Sequence, residues 1–224
     1  MSVNFSNYEA IKAQCARHNA QLVAVSKLKP VSTIKELYDA GHRDFGENYV
    51  QELMEKQPQL PDDVRWHFIG HLQSNKVKYI AGFVHLIHGV DSQKLLKEIS
   101  KQALRAGRTI DCLLQVYIAS EETKFGLDEA ELETLVNSLR NEPETYRGVR
   151  IRGMMGMASF SENEALVRRE FQQLVHMADR WLPSVMENPA ERILSFGMSN
   201  DYKIALEEGS TLVRIGSLLF GARS

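Results

Sequence analysis

Residues 21–46 read QLVAVSKLKPVSTIKELYDAGHRDFG, and this passage sets the pattern for the whole chain. Gln21–Ser26 is a short apolar, β-branched run of the kind that forms a buried strand. Thr33 and Glu36 have capping-box spacing, in which the hydroxyl accepts an early amide and the glutamate reaches back. Gly41 stands where that helix must end, because glycine takes the left-handed turn at little cost. Arg43–Gly46 then begins a second strand.

The same alternation continues in both directions. Further strands are expected at Trp66–Gly70, Val84–His88, Ile110–Ile118, Val149–Met155, Ile193–Ser195 and Thr211–Ile215. Between them, Leu95, Leu96, Ile99, Ala103 and Leu104 mark a helix closed by Gly107. Leu166, Val167, Phe171, Leu174, Val175, Ala178 and Trp181 mark another, with a capping box expected at Ser161 and Glu164. A first helix, Tyr8–His18, precedes the first strand. The turn-rich stretch Met186–Glu191 is too short for a linker, so residues 1–224 read as one domain. Eight strand–helix alternations in 224 residues predict an α/β fold, a single (β/α)8 TIM barrel with an extra N-terminal helix. An open doubly wound sheet is the alternative. In a barrel, the unusual residues at the strand ends converge on one mouth: Lys27, Glu47–Asn48, Gly70–His71, Lys124, Gly156, Gly197–Ser199 and Arg214–Gly216.

Composition narrows the function classes. The 27 basic and 29 acidic side chains leave a net charge of −2, which argues against electrostatic capture of nucleic acid or an anionic membrane. The start, MSVNFSNYEAIKAQCARHNA, lacks the apolar core of a secretory signal. The longest stretch free of Asp, Glu, Lys and Arg, Tyr79–Val90, is too short and too polar to cross a bilayer. Cys15 and Cys112 are isolated, as structural thiols of a reducing compartment are, so a soluble cytoplasmic protein is expected.

Three features carry chemistry. In VAVSKLKP (23–30) a hydrophobic strand runs into a lysine, whose ammonium is disfavoured at the edge of a low-dielectric interior and whose lone pair is thereby freed to attack a carbonyl. Alternation puts Val23, Val25 and Lys27 on one side, and Pro30 carries Lys29 further into the loop, so Lys27 is the better nucleophile. Taken singly, a solvated lysine at a strand end would look the same. FGMSNDY (196–202) and RIGSLLFGAR (214–223) each read as strand, glycine turn and helix start. Such a turn admits phosphate oxygens to helix-start amides, and these two follow strands seven and eight, where barrels often hold phosphate. Arg214 can only donate hydrogen bonds, so a ring nitrogen facing it would stay an unprotonated acceptor. An ion pair is the plainer use of that arginine. Lysine, phosphate cradle and ring-nitrogen partner together describe a site for pyridoxal 5′-phosphate (PLP).

The sequence resembles the pyridoxal phosphate homeostasis proteins. The resemblance spans nearly the whole chain and rests on five ordered blocks: AVSKLKP (24–30), FGENYVQE (45–52), WHFIGHLQSNK (66–76), GMSNDY (197–202) and VRIGSLLFGAR (213–223). It implies a barrel like the N-terminal domain of alanine racemase and a Schiff base between PLP and Lys27. It also implies Arg214 at the ring nitrogen, Asn48 beside the ring, and Ser199, Gly216 and Ser217 on the phosphate. His67 is expected in the core or just behind the cofactor, and GMMGMA (153–158) as packing. Lys124 in TKFG stands near the place of a basic residue of the racemases, with different spacing around it. His71 is given no role.

The expected function is that of a cofactor-binding protein. Arginine at the ring nitrogen weakens the electron sink that carbanion chemistry requires. Racemases of the resembling fold take a second base from a C-terminal domain, and this chain ends at Ser224, just after the barrel. A monomer that holds PLP, supplies it to apo-enzymes and serves intracellular vitamin B6 balance is therefore expected, rather than an enzyme with robust turnover. The alternative is a slow PLP-dependent amino-acid racemase using Lys27 with water or Tyr49, although Tyr49 reads first as a packing residue at a helix start. A lysine-dependent aldolase and a purely structural module are further alternatives, each without a yellow cofactor.

Overall fold

The structure is a computed structural model that describes residues 2–119 and 125–221. The chain opens with α1 (Phe5–Arg17), then β1 (Gln21–Val25), α2 (Val31–Asp39), β2 (Asp44–Glu47), α3 (Val50–Lys56) and β3 (Arg65–Phe68). It continues through α4 (Val77–Ile80), β4 (Leu86–Val90), α5 (Gln93–Arg105), β5 (Ile110–Gln115), α6 (Glu129–Asn141) and β6 (Val149–Met155). The last part is α7 (Glu164–Trp181), β7 (Ile193–Ser195), α8 (Tyr202–Glu207), β8 (Leu212–Ile215) and α9 (Ser217–Phe220). The eight strands pair in sequence order, all in parallel, and β8 pairs with β1 to close a barrel. This is the fold expected, with the extra helix α1 in front; the open sheet is excluded.

Each strand falls within a few residues of its expected place, because buried parallel strands carry a continuous apolar signal. β5 stops at Gln115, short of Ile118, and Val116 instead bridges to Leu127. The core has two parts. Val23, Leu86, Leu113, Met155 and Leu212 meet one another from β1, β4, β5, β6 and β8, which is possible only inside the barrel. A much larger cluster, including Ala24, Phe45, Phe68, Leu114 and Met154, lies between the strands and the helical ring. GMMGMA thus contributes packing on both sides, through Met154 and Met155.

The helix ends correct several expectations. α2 starts at Val31 behind Pro30 with no side-chain cap, and Thr33 is buried in its first turn rather than capping it. Asn163, not Ser161, caps α7 by accepting from the Leu166 amide, while Ser161 Oγ accepts from Asn163. The capping box is at Asp128 and Glu131 of α6. Leu104 is exposed at the end of α5, outside the buried stripe. Gly41 and Gly107 do end their helices at positive φ, 93° and 66°. Among the described residues no helix is long and apolar enough to cross a membrane.

Candidate functional site

Closure brings the carboxyl ends of all eight strands to one rim, where barrel folds build their sites. Along the β1–β8 seam, Val23 is in register with Arg214 and Ala24 with Ile215. Lys27 follows β1, and Gly216 and Ser217 follow β8, so these residues emerge from adjacent strands. A Cβ built on Gly216 would lie 3.3 Å from Val25 Cβ, so the glycine keeps a close approach of the two strand ends open. The Gly216 amide donates to Ser199 Oγ at 3.4 Å, which brings the loop after β7 to the same place. At the start of α9 the Leu219 and Phe220 amides already donate to Gly216 O, which leaves those of Ser217 and Leu218 as the helix-start amides that could face an anion. Asn48 directly follows β2 on the other side of β1, and its Oδ1 is buried with no hydrogen-bond partner among the described residues. The structure therefore gathers Lys27, Asn48, Ser199, Arg214, Gly216 and Ser217 at one sector of the rim. Lys124 lies outside the described residues.

The turn that carries Lys27 is clamped from behind. Leu28 sits at φ +59°, a left-handed conformation that costs a branched aliphatic residue energy, and its amide donates to Glu52 Oε1 at 2.6 Å. Ser26, on the other flank, donates its hydroxyl to Glu47 Oε1 at 2.6 Å. Lys56 ties the two together: its Nζ donates to Ser26 O, Glu47 Oε1 and Glu52 Oε1 at 2.8, 2.7 and 2.6 Å. Burial pushes the Glu47 carboxyl above its ordinary value, with Lys56 and Ser26 pulling it back. Lys29 donates to Phe220 O at 3.0 Å, which joins the β1 turn to α9.

Arg214 is almost wholly buried. Its Nη1 donates to Ser195 O at 2.8 Å and Ser195 Oγ at 2.7 Å, and its Nη2 donates to Gly156 O at 3.2 Å. Its hydrogen bonds among the described residues go to neutral oxygens rather than to the carboxylate of an ion pair, the plainer reading of this residue, and the Asp201 carboxylate acts on it through its charge. Burial lowers its pKa to about 10, and a guanidinium buried among neutral oxygens is suited to an electron-rich partner.

His67 lies in the barrel interior, as expected of a core histidine, bonded to His88 and Asp44. His71 pairs with Asp91 at 3.0 Å and stacks on Phe125 at 4.8 Å between ring centroids. Tyr49 is more than half exposed at the start of α3 and is not a packing residue. The sequence reading missed Glu52, Lys56, His88 and Ser195. Polar residues inside otherwise apolar strands were the available signal for the last two.

The comparisons with known proteins now bear on this geometry. Residues 5–224 match the family model described as alanine racemase, N-terminal domain. A protein of Aquifex aeolicus named pyridoxal phosphate homeostasis protein is 40% identical over 221 residues, covering 96% of this chain and 94% of that one. This chain belongs to the pyridoxal phosphate homeostasis protein family. Among solved structures, PipY of Synechococcus elongatus with PLP bound is 35% identical with a TM-score of 0.85, covering 96% of this chain and 99% of that one. Alanine racemase of Streptomyces lavendulae has a TM-score of 0.80 at 17% identity, covering 97% of this chain and 56% of that one. The racemase likeness shows a shared barrel. Membership of the homeostasis family rests on the closer relatives.

Proposed function

We propose that this protein binds PLP at the rim between β1, β2 and β8, holds it through a Schiff base on Lys27, and acts in cofactor supply rather than in rapid turnover. The observation that carries the reading is Arg214. A fully buried guanidinium spends three of its five N–H donors on Ser195 and Gly156, with the lysine-bearing end of β1 on the neighbouring strand. PLP fits the residues present. Its pyridine nitrogen accepts, matching the remaining Arg214 donors. Its phosphate suits Ser199, Gly216 and Ser217, where the glycine lets the end of β8 lie close against Val25 of β1. The partnerless Oδ1 of Asn48 supplies a polar group to the ring side.

When bound, the cofactor would supply an aldehyde that condenses reversibly with amines and stabilises negative charge on an attached carbon. The chain's own residues set how far that chemistry runs. Arg214 donates hydrogen bonds without surrendering a proton, so it would orient the ring without charging it, and the sink would stay weak. Glu47, Glu52 and Lys56 hold the Lys27 turn in place. This combination favours storage and release to apo-enzymes, which supports the carrier reading over a slow racemase. The PLP-bound PipY relative supports the binding of PLP itself.

The test is spectroscopic. Protein incubated with PLP is expected to absorb in the visible, to lose that absorbance on borohydride treatment, and to carry the reduced adduct on the Lys27 peptide. Lys27→Ala is expected to abolish the fixed adduct while retaining reversible binding through the phosphate contacts. A colourless wild-type protein, or an adduct mapped to another lysine, would refute the assignment. Multiple-turnover racemase activity lost in Lys27→Ala would replace the carrier reading with the enzymatic one.

A further inference from the structure

A chain of polar groups crosses the barrel interior beside the apolar cluster of Val23, Leu86, Leu113, Met155 and Leu212. Arg214 of β8 donates to Ser195 Oγ of β7 at 2.7 Å, and that oxygen lies 2.9 Å from His88 Nδ1 of β4. His88 Nε2 is 3.0 Å from His67 Nδ1 of β3, and His67 Nε2 is 3.1 Å from Asp44 Oδ1 at the start of β2. Arg65 closes the far end by donating its Nε to Asp44 at 2.7 Å. We propose that Ser195, His88 and His67 are positioning residues, which form a hydrogen-bonded relay through the barrel and fix Arg214 relative to the Asp44 carboxylate. The proposal rests on the reading of Arg214 as the partner of the PLP ring.

The two ends dictate the direction of the chain. A guanidinium can only donate, and an ionised carboxylate can only accept. Although burial alone would raise it, the Arg65 and His67 hydrogen bonds hold the Asp44 carboxyl well below the usual carboxylate range. With both imidazoles neutral, one set of protons satisfies every link. Ser195 donates its hydroxyl to His88 Nδ1, His88 donates Nε2–H to His67 Nδ1, and His67 donates Nε2–H to Asp44. Each imidazole carries its proton on Nε2, a tautomer assigned here from the hydrogen-bond pattern. Complete burial, with the Arg214 guanidinium nearby, pushes the His88 pKa well below its ordinary value, which keeps it a neutral link.

The consequence falls on Arg214. With its proton committed to His88, the Ser195 hydroxyl must turn a lone pair toward the guanidinium and cannot rotate away. Arg214 is thereby held at three points, and its Nε–H and second Nη2 hydrogen are left with fixed directions. A chain of aligned hydrogen bonds in a low-dielectric interior reinforces itself, so a break at a distant link weakens the near one.

The experiment uses two readouts. In nitrogen-15 spectra of the cofactor-free protein labelled at histidine, His67 and His88 are expected as Nε2–H tautomers. Ser195→Ala is expected to disturb the His88 signals. In PLP-loaded protein, folded Ser195→Ala is expected to shift the absorbance of the bound cofactor and weaken its retention roughly ten-fold, as for loss of a charge-assisted hydrogen bond. His67→Leu breaks the chain two links from Arg214 and is expected to act in the same direction. His67→Gln, whose amide oxygen and nitrogen replace Nδ1 and Nε2, is expected to restore both readouts. The Ser195→Ala/His67→Leu double variant is expected to cost no more than the larger single change, because both cut one chain. A proton on His88 Nδ1 in the wild-type protein would overturn the proposal. So would folded Ser195→Ala with unchanged cofactor absorbance and retention. Failure of the wild-type protein to take up PLP would instead refute the cofactor reading, with the tautomer arm still deciding whether the relay exists.

Discussion

Replacing Lys56 by methionine removes the ammonium that joins Glu47, Glu52 and the Ser26 carbonyl, and its cost follows from the surroundings. Side chains of Lys56 and Glu47 are 7% and 0% exposed, while that of Glu52 is 18% exposed, so the Glu47 link dominates. Methionine fills much of the lysine stem's volume, but it leaves a buried carboxylate held only by Ser26. Breaking such a pair costs about 3–5 kcal/mol. For a chain of this size that corresponds to a fall in Tm of roughly 6–20 °C. The loss has a defined pH dependence. Burial already raises Glu47 above its ordinary 4.5, and without Lys56 it rises further. A carboxyl whose folded pKa exceeds its unfolded value contributes stability that is present below the unfolded pKa and lost as pH rises through the folded one. The variant's deficit is therefore larger near pH 8 than near pH 5. Thermal unfolding of both proteins at the two pH values measures it, and adding Glu47→Gln to Lys56→Met is expected to recover most of the loss. A deficit under about 1 kcal/mol, or one independent of pH, would refute the view that a buried ionic clamp holds the Lys27 turn.

Other expectations are narrower. Asp128→Ala removes the capping box of α6 and is expected to cost about 1 kcal/mol in denaturant unfolding, with the barrel intact. Gly153→Ala is expected to abolish soluble folded protein, since the added Cβ would stand 1.9 Å from the Ile193 carbonyl oxygen across the β6–β7 pair. Burial raises the Cys15 thiol to about 11 and pushes Cys112 up as well, so a thiol reagent at neutral pH is expected to label both only as the chain unfolds. Asp44→Asn removes a carboxyl whose folded pKa is depressed, so its stabilising contribution, present above about pH 4, is lost as pH falls. Acid unfolding curves of wild type and variant are expected to converge at low pH.

Much of this protein was legible locally. Strand and helix periods are properties of a few neighbouring residues, so the eight alternations and the glycines at 41 and 107 could be read directly. Lys27, Arg214 and the glycine turns after the last two strands could be read as well, because a charged or conformationally special residue at the end of an apolar run is a local anomaly. Helix caps were less legible. Ser161 and Asn163 are both competent caps, and the choice between them depends on how the chain enters α7 from the rim. The clamp and the relay could not be read at all. Alternation says that two residues of a strand share a face, but not which face is interior or which strand lies opposite. His88 and Ser195 are separated by 107 positions, and they meet only because the sheet closes on itself and fixes the register of β4 against β7. What the sequence determined alone was the order of the elements and the chemistry available at their ends. Barrel closure decided which buried polar groups pair, because that pairing is a property of distances across the interior and not along the chain.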